Sequence, residues 1–157
     1  MTTNPRSVVD QDALAVRRTI RIAASVDKVW RAVTEPERIS QWFGHMVLPG
    51  DAVGVQGTIT WPDGPAIPIR VEEIDPPRMV SYRWANDETD ATVSDDLDAR
   101  PSTVFTFTLE PVGEGTQLTV VESGFEALSD PATTLDDHRE GWDGELDKLV
   151  VLLEASR

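Results

Sequence analysis

The C-terminal stretch from about Leu135 to Ala155 constrains this chain more than any other. It is the only long segment whose apolar residues recur at helical spacing: Trp142, Leu146, Leu149 and Leu153 step by four, three and four. A helix with one apolar stripe must bury it, and the segments before it that could cover it read as strands. One long helix laid across a strongly bent sheet buries both, which gives an α+β fold. A helix crossing a curved sheet need not fill the space beneath it, so a cavity between the two is expected.

Taken in order, residues 1–12 are polar and unpatterned and read as a flexible N-terminal tail, leaving 13–157 as a single domain. From Leu14 to Ile22 the pattern alternates, with Arg18 falling on the apolar side beside Val16 and Ile20. Ser25 is a good N-cap for a helix through Thr34, with Asp27 in its first turn. Pro36 interrupts it, and Glu37 to Phe43 reads as a second short helix ending at Gly44. Within it, Trp42 is expected to be more exposed than Trp142. His45 to Val55, with Pro49, Gly50 and Gly54, reads as a loop or a ragged strand.

Strands are predicted at about Gln56–Trp61, Ile67–Ile74, Met79–Trp84, Thr103–Glu110 and Thr116–Ser123. The turn-like Pro62-Asp63-Gly64-Pro65, Asp75-Pro76-Pro77 and Gly113-Glu114-Gly115 separate them, and such short links make the pairs antiparallel. Asn86 to Arg100 holds six acidic residues but lacks the register of a calcium loop, and reads as a solvated, mobile hairpin tip. Gly141 and Gly144 weaken the closing helix by roughly 1 kcal/mol each relative to alanine. Either backbone passes close to the sheet or a ligand there, or the helix is weak until about Asp143.

Composition narrows the function classes. The formal charge of −14 repels a phosphate backbone or an anionic lipid surface, so nucleic-acid and membrane partners are not expected. The chain has no cysteine, which excludes disulfides, thiolate metal sites and cysteine nucleophiles. The first residues lack the apolar core of a secretory signal, and no apolar run could span a bilayer, so a cytoplasmic location is expected.

Several blocks resemble a known family. Thr19 to Glu37 is similar to its opening signature, a strand and a small-residue turn followed by Val-Trp-x-Ala-x-Thr-x-Pro-Glu. Trp42-Phe43-Gly44 fits the tryptophan closing its second helix, Val71–Val80 and Gly115–Val120 match two further blocks, and Gly141-Trp142-x-x-x-Leu146-x-x-Leu149 matches its closing helix. The family is the activator of heat-shock-protein-90 ATPase homologue-like group of the START (SRPBCC, helix-grip) superfamily. The resemblance implies a curved antiparallel sheet of about six or seven strands gripping the C-terminal helix over a cavity. Members of the superfamily carry lipids, bind hormones, cyclise polyketides or assist a chaperone, so the fold alone does not choose among these roles.

The candidate site is the cavity lining: Trp30, Trp42, Trp61, Tyr82, Trp84, Phe105, Phe107, His138, Trp142 and Leu146. Each tryptophan could equally fill the core. Arg18 points inward by register, and so does Glu122, in phase with Leu118 and Val120. The two are expected to pair, as a structural ion pair or as a polar anchor for a ligand. His45 and His138 are the only histidines, and nothing in their spacing calls for a metal; no cofactor is expected. The favoured reading is a protein, monomer or homodimer, that binds a hydrophobic or aromatic small molecule. The alternatives are a small cyclase or hydrolase of a reactive aromatic metabolite, using Tyr82 or His138 as acid–base, and a co-chaperone with a chaperone partner.

Overall fold

Every strand that alternation predicts is present, and two short ones flank them at the sheet margins. The computed structural model describes residues 4–86 and 96–155. Along the chain run β1 (Val8–Asp10), β2 (Ala15–Ile22), α1 (Val26–Thr34), α2 (Pro36–Ile39), β3 (His45–Val47), β4 (Gln56–Thr60), β5 (Ile67–Asp75), β6 (Met79–Trp84), β7 (Thr103–Val112), β8 (Gly115–Ser123) and α3 (Pro131–Ala155). The eight strands form one antiparallel sheet in the order β1-β2-β8-β7-β6-β5-β4-β3. The sheet curves around α3 in the helix-grip arrangement. β2 and β3 lie far apart in it, and α1 and α2 bridge the gap.

Alternation places Val16, Ile20 and Ile22 of β2, Leu118 and Val120 of β8, Phe105, Phe107 and Leu109 of β7, and Val80, Tyr82 and Trp84 of β6 on the buried face. Leu135, Trp142, Leu146, Leu149 and Leu153 of α3 meet them. That helix starts earlier than its apolar stripe. Asp130 precedes Pro131, and its carboxylate accepts the Thr133 amide at 3.3 Å, an N-cap followed by proline at the first helical position.

Four readings of the sequence are corrected. Val8–Asp10, expected in a flexible tail, pairs with Arg17–Ala15 as an edge strand. It is held because Ser7 is buried and gives both its amide and its hydroxyl to Asp143 Oδ1, each at 2.7 Å. The second helix stops after one turn, because the Ser40 hydroxyl bonds to the Pro36 carbonyl at 2.7 Å and takes the Met46 amide at 2.9 Å, folding the chain back toward β3. That fold drives Trp42 inward, where it donates to the Ala32 carbonyl at 2.8 Å; at 2% exposure it is as buried as Trp142. Among the described residues no atom outside the helix's own backbone lies within 4 Å of the Cβ position of Gly141 or Gly144, so neither glycine serves a close approach to the sheet. Of the acidic segment, residues 87–95 lie outside the described residues. Leu97, in a short 3-10 turn capped by Asp96, is a core residue at 1% exposure, and Asp98 pairs with Arg70 at 3.2 Å.

Two predictions follow from the glycines and tryptophans. Gly144→Ala should raise stability by about 1 kcal/mol and the melting temperature by roughly 2–4 °C. Gly57→Ala, whose added methyl would collide with the Val47 carbonyl, should lower both. Trp42→Ala and Trp142→Ala should each cost about 3–5 kcal/mol in urea unfolding, with no advantage to Trp42.

Candidate functional site

The inner-face alternation of three neighbouring strands gathers Trp84 of β6, Thr103 and Phe105 of β7, and Glu122 of β8. Trp84 stands opposite Thr103, and Phe105 opposite Glu122. From above, α3 lowers His138 and Trp142, one helical turn apart, onto the same spot.

Glu122 is fully buried. A carboxylate there is tolerated only if its lone pairs are used, and they are. Oε2 accepts Thr103 Oγ1 at 2.6 Å and Trp84 Nε1 at 2.9 Å, the Trp84 N–H being shared with Thr103 Oγ1 at 2.9 Å. Oε1 accepts Trp142 Nε1 at 2.9 Å, and His138 Nδ1 lies 2.8 Å from Oε1 and 2.9 Å from Oε2.

Burial alone pushes the Glu122 carboxyl up. The His138 charge and the bonds from His138, Thr103 and Trp84 outweigh it and bring the value below the ordinary 4.5. For His138 burial pulls the value down, but the Glu122 charge and bond, with the Asn86 main chain, carry it above 6.5. Between pH 4.5 and 6.5 the pair is therefore a buried imidazolium–carboxylate.

Around this pair stands an aromatic cluster with Phe43 at its centre. The Phe43 ring lies 5.0 Å from Trp42, 5.0 Å from Trp61, 5.4 Å from Trp142, 5.7 Å from Trp84 and 5.9 Å from Phe105, between ring centroids. Trp142 in turn meets Phe105 at 5.2 Å and Phe107 at 5.8 Å. Trp61, half-buried, forms the outer margin through Phe43 and through Trp84 at 5.9 Å.

The structure thus brings together Trp42, Trp61, Trp84, Phe105, Phe107, His138 and Trp142 of the expected set, with Leu146 buried further along the α3 stripe. Tyr82 joins through Phe105 at 5.4 Å, but burial pushes its pKa up, so it keeps its proton, and that proton is committed to the Val33 carbonyl at 2.7 Å. Trp30 stands apart on α1.

The Arg18–Glu122 pair does not form. Both point inward, but Arg18 stands opposite Val120 and Glu122 opposite Val16, and each has other partners. Arg18 donates to the carbonyls of Pro5 at 2.9 Å, Trp142 at 3.3 Å and Asp143 at 3.0 Å, and to Asp147 Oδ1 at 2.7 Å.

Sequence reasoning missed Phe43 and Thr103 as site residues. Thr103 was legible, since it continues the register of Phe105 and Phe107. Phe43 was not, because an irregular turn rather than a periodic element aims it.

The sequence profile of the activator of Hsp90 ATPase homolog 1-like proteins matches residues 23–154. The chain belongs to this family. Among solved structures it is similar to protein MLL2253 of Mesorhizobium loti, at 28% identity over 91% of this chain and 98% of that one, with a TM-score of 0.78. It is also similar to DynU16, a protein of the dynemicin biosynthetic locus, at 28% identity and a TM-score of 0.71 over 91% of this chain but only 48% of that one. The Aha1 dimer of Colwellia psychrerythraea shares the fold at 20% identity, over 89% of this chain and 96% of that one, with a TM-score of 0.69. No curated protein matches the chain. Among the described residues no helix is long and apolar enough to cross a membrane.

The buried pair predicts a pH dependence. His138 is raised on folding, so its contribution is full below 6.5 and is lost as pH climbs through the raised value. Glu122 is lowered, so its contribution is full above 4.5 and is lost only as pH falls through the lowered value. The stability difference between wild type and His138→Gln, measured by urea unfolding, should be greatest between pH 4.5 and 6.5 and shrink above that window. Glu122→Gln should lower stability near neutral pH, since a neutral amide replaces the charged acceptor of the Trp84, Trp142 and Thr103 donors, and His138, no longer held up by the carboxylate, gives up its proton.

Proposed function

We propose that this protein binds a planar aromatic small molecule between the sheet and α3, in the place that the Phe43 ring occupies. One observation carries the reading: Phe43 is surrounded by five aromatic rings, yet it is held from the irregular turn between α2 and β3, unlike the rings of β6, β7 and α3 around it. A ring on a turn can swing out at lower cost than one on a strand, and a flat ligand would recover the same stacking contacts. Trp61, at the cluster margin, makes no indole hydrogen bond among the described residues and is free to donate one to a ligand. DynU16, to which the chain is similar, comes from a biosynthetic locus, a setting in which a small-molecule ligand is in place.

A second reading, a cyclase or hydrolase of a reactive aromatic metabolite, draws on the imidazolium–carboxylate pair directly beneath those rings. In it His138 acts as the acid, while Tyr82, committed to Val33, does not. The co-chaperone reading, in a cytoplasmic protein, has less support. The large exposed apolar side chains among the described residues, Val8, Val47, Val53 and Val151, are spread over β1, β3, a loop and α3.

Titration with indole and naphthalene, followed by tryptophan fluorescence and melting temperature, tests the binding reading. Wild type should bind and gain stability as RT ln(1 + [L]/Kd). Phe43→Ala, which vacates the place in advance, should bind about tenfold more tightly, as emptied apolar cavities take aromatic ligands. Phe43→Leu serves the same purpose should the alanine variant fold poorly. Equal, absent or weaker binding by the variants would contradict the assignment.

A further inference from the structure

Away from the aromatic cluster, α1 and the segment after β3 enclose an open groove of about 450 Å³. Asp27, Trp30, Arg31 and Thr34 form one wall; positions i, i+3, i+4 and i+7 share one face of the helix. Leu48 to Asp51 forms the other wall, and Glu35-Pro36 closes the end. The volume suits a small ligand rather than a macromolecule.

Trp30 is the odd tryptophan of the chain. The indole N–H groups of Trp42, Trp84 and Trp142 are all bonded to protein acceptors. Trp30 is half-buried, makes no ring contact and bonds its N–H to nothing among the described residues. With Leu48, Pro36 and Pro49 it supplies the apolar part of a lining that Asp27, Arg31, Thr34, Glu35 and Asp51 make otherwise polar.

The charges at this groove are out of balance. Arg31 is taken by Asp27 at 3.3 Å, and Glu35 by Arg38 at 2.7 Å. Asp51 has no partner among the described residues, and it faces the carboxyl end of α1, where the helix dipole is negative. Its charge reaches the Tyr82 hydroxyl, which is itself bonded to Val33 in the last turn of α1. An exposed carboxylate at a helix C-terminus, beside an unpartnered indole, is a place to which a cation is drawn.

We propose that this groove is a second binding site, for a small primary or secondary amine with an apolar body. The ammonium hydrogen-bonds to Asp51, and the body packs on Trp30 between Pro36 and Pro49. The indole face adds a cation–π attraction, and the acidic protein as a whole draws cations toward it. The proposal does not depend on the aromatic site.

The test is a pair of near-isosteric probes, 2-phenylethylamine and 2-phenylethanol, titrated into the full chain and followed by amide chemical shifts. The amine should shift residues 27–36 and 48–51, and the alcohol should bind these at least several-fold more weakly. Asp51→Asn should weaken the amine about tenfold and Trp30→Leu roughly three- to fivefold. Both side chains are at least partly exposed, so both variants should fold. Equal binding of amine and alcohol, shifts confined to the Phe43 cluster, or no response at millimolar probe would overturn the proposal.

Discussion

The structure depends on one buried carboxylate. Glu122 would be among the most costly side chains in the core if any of its partners were missing, and its donors come from β6, β7 and α3 at once. Satisfying it therefore fixes the seating of α3 on the sheet. A second buried charge on the neighbouring strand does the same. Arg18 of β2 holds the Trp142 and Asp143 carbonyls, while the Asp143 carboxylate takes both polar groups of Ser7. Trp142 is thus pinned twice, its indole N–H by Glu122 and its carbonyl by Arg18. Apolar packing supplies most of the burial energy, but it slides easily; these directional bonds set where the helix sits and at what rotation.

That seating organises the rings into two groups. Trp42, Trp84 and Trp142 are fixed both by stacking and by hydrogen bonds through their nitrogens, and they form rigid walls. Phe43 fills the gap between them by stacking alone, Trp61 borders it at the surface, and Trp30 faces a separate groove. The proposed binding of a flat ring draws on this division, because walls that hold their place would keep the site from collapsing when Phe43 swings out. The His138–Glu122 pair lies beneath these rings, its two opposite charges set against each other.

Much of the fold was legible because periodicity reports burial directly. The α3 stripe, the inner faces of β6 to β8 and the inward turn of Arg18 and Glu122 all follow from phase alone. What phase cannot give is the partner. Arg18 and Glu122 share a face and carry opposite charges, which made them a natural pair, but their strand register leaves Arg18 to α3 and the N-terminal segment, and Glu122 to indoles and an imidazole. Short edge strands such as β1 and β3 were illegible for a related reason: three residues hold too little pattern, and tertiary contacts made by Ser7 and Met46 decide them. Trp42 and Phe43 were misplaced or missed because a serine-capped turn, not a periodic element, directs them inward.

Glu122 locks the sheet to α3 through the Trp142 indole N–H and His138, while Trp84 and Thr103 hold its carboxylate in place within the sheet. Solvent exchange of the five indole protons, resolved by NMR, reads this directly. The Trp84 and Trp142 protons should be protected in wild type and lose that protection in Glu122→Gln, while Trp42, bonded to the Ala32 carbonyl, keeps its own and Trp30 and Trp61 exchange fast in both. Trp84 and Trp142 protons exchanging as quickly as that of Trp30 in the wild-type protein would contradict it.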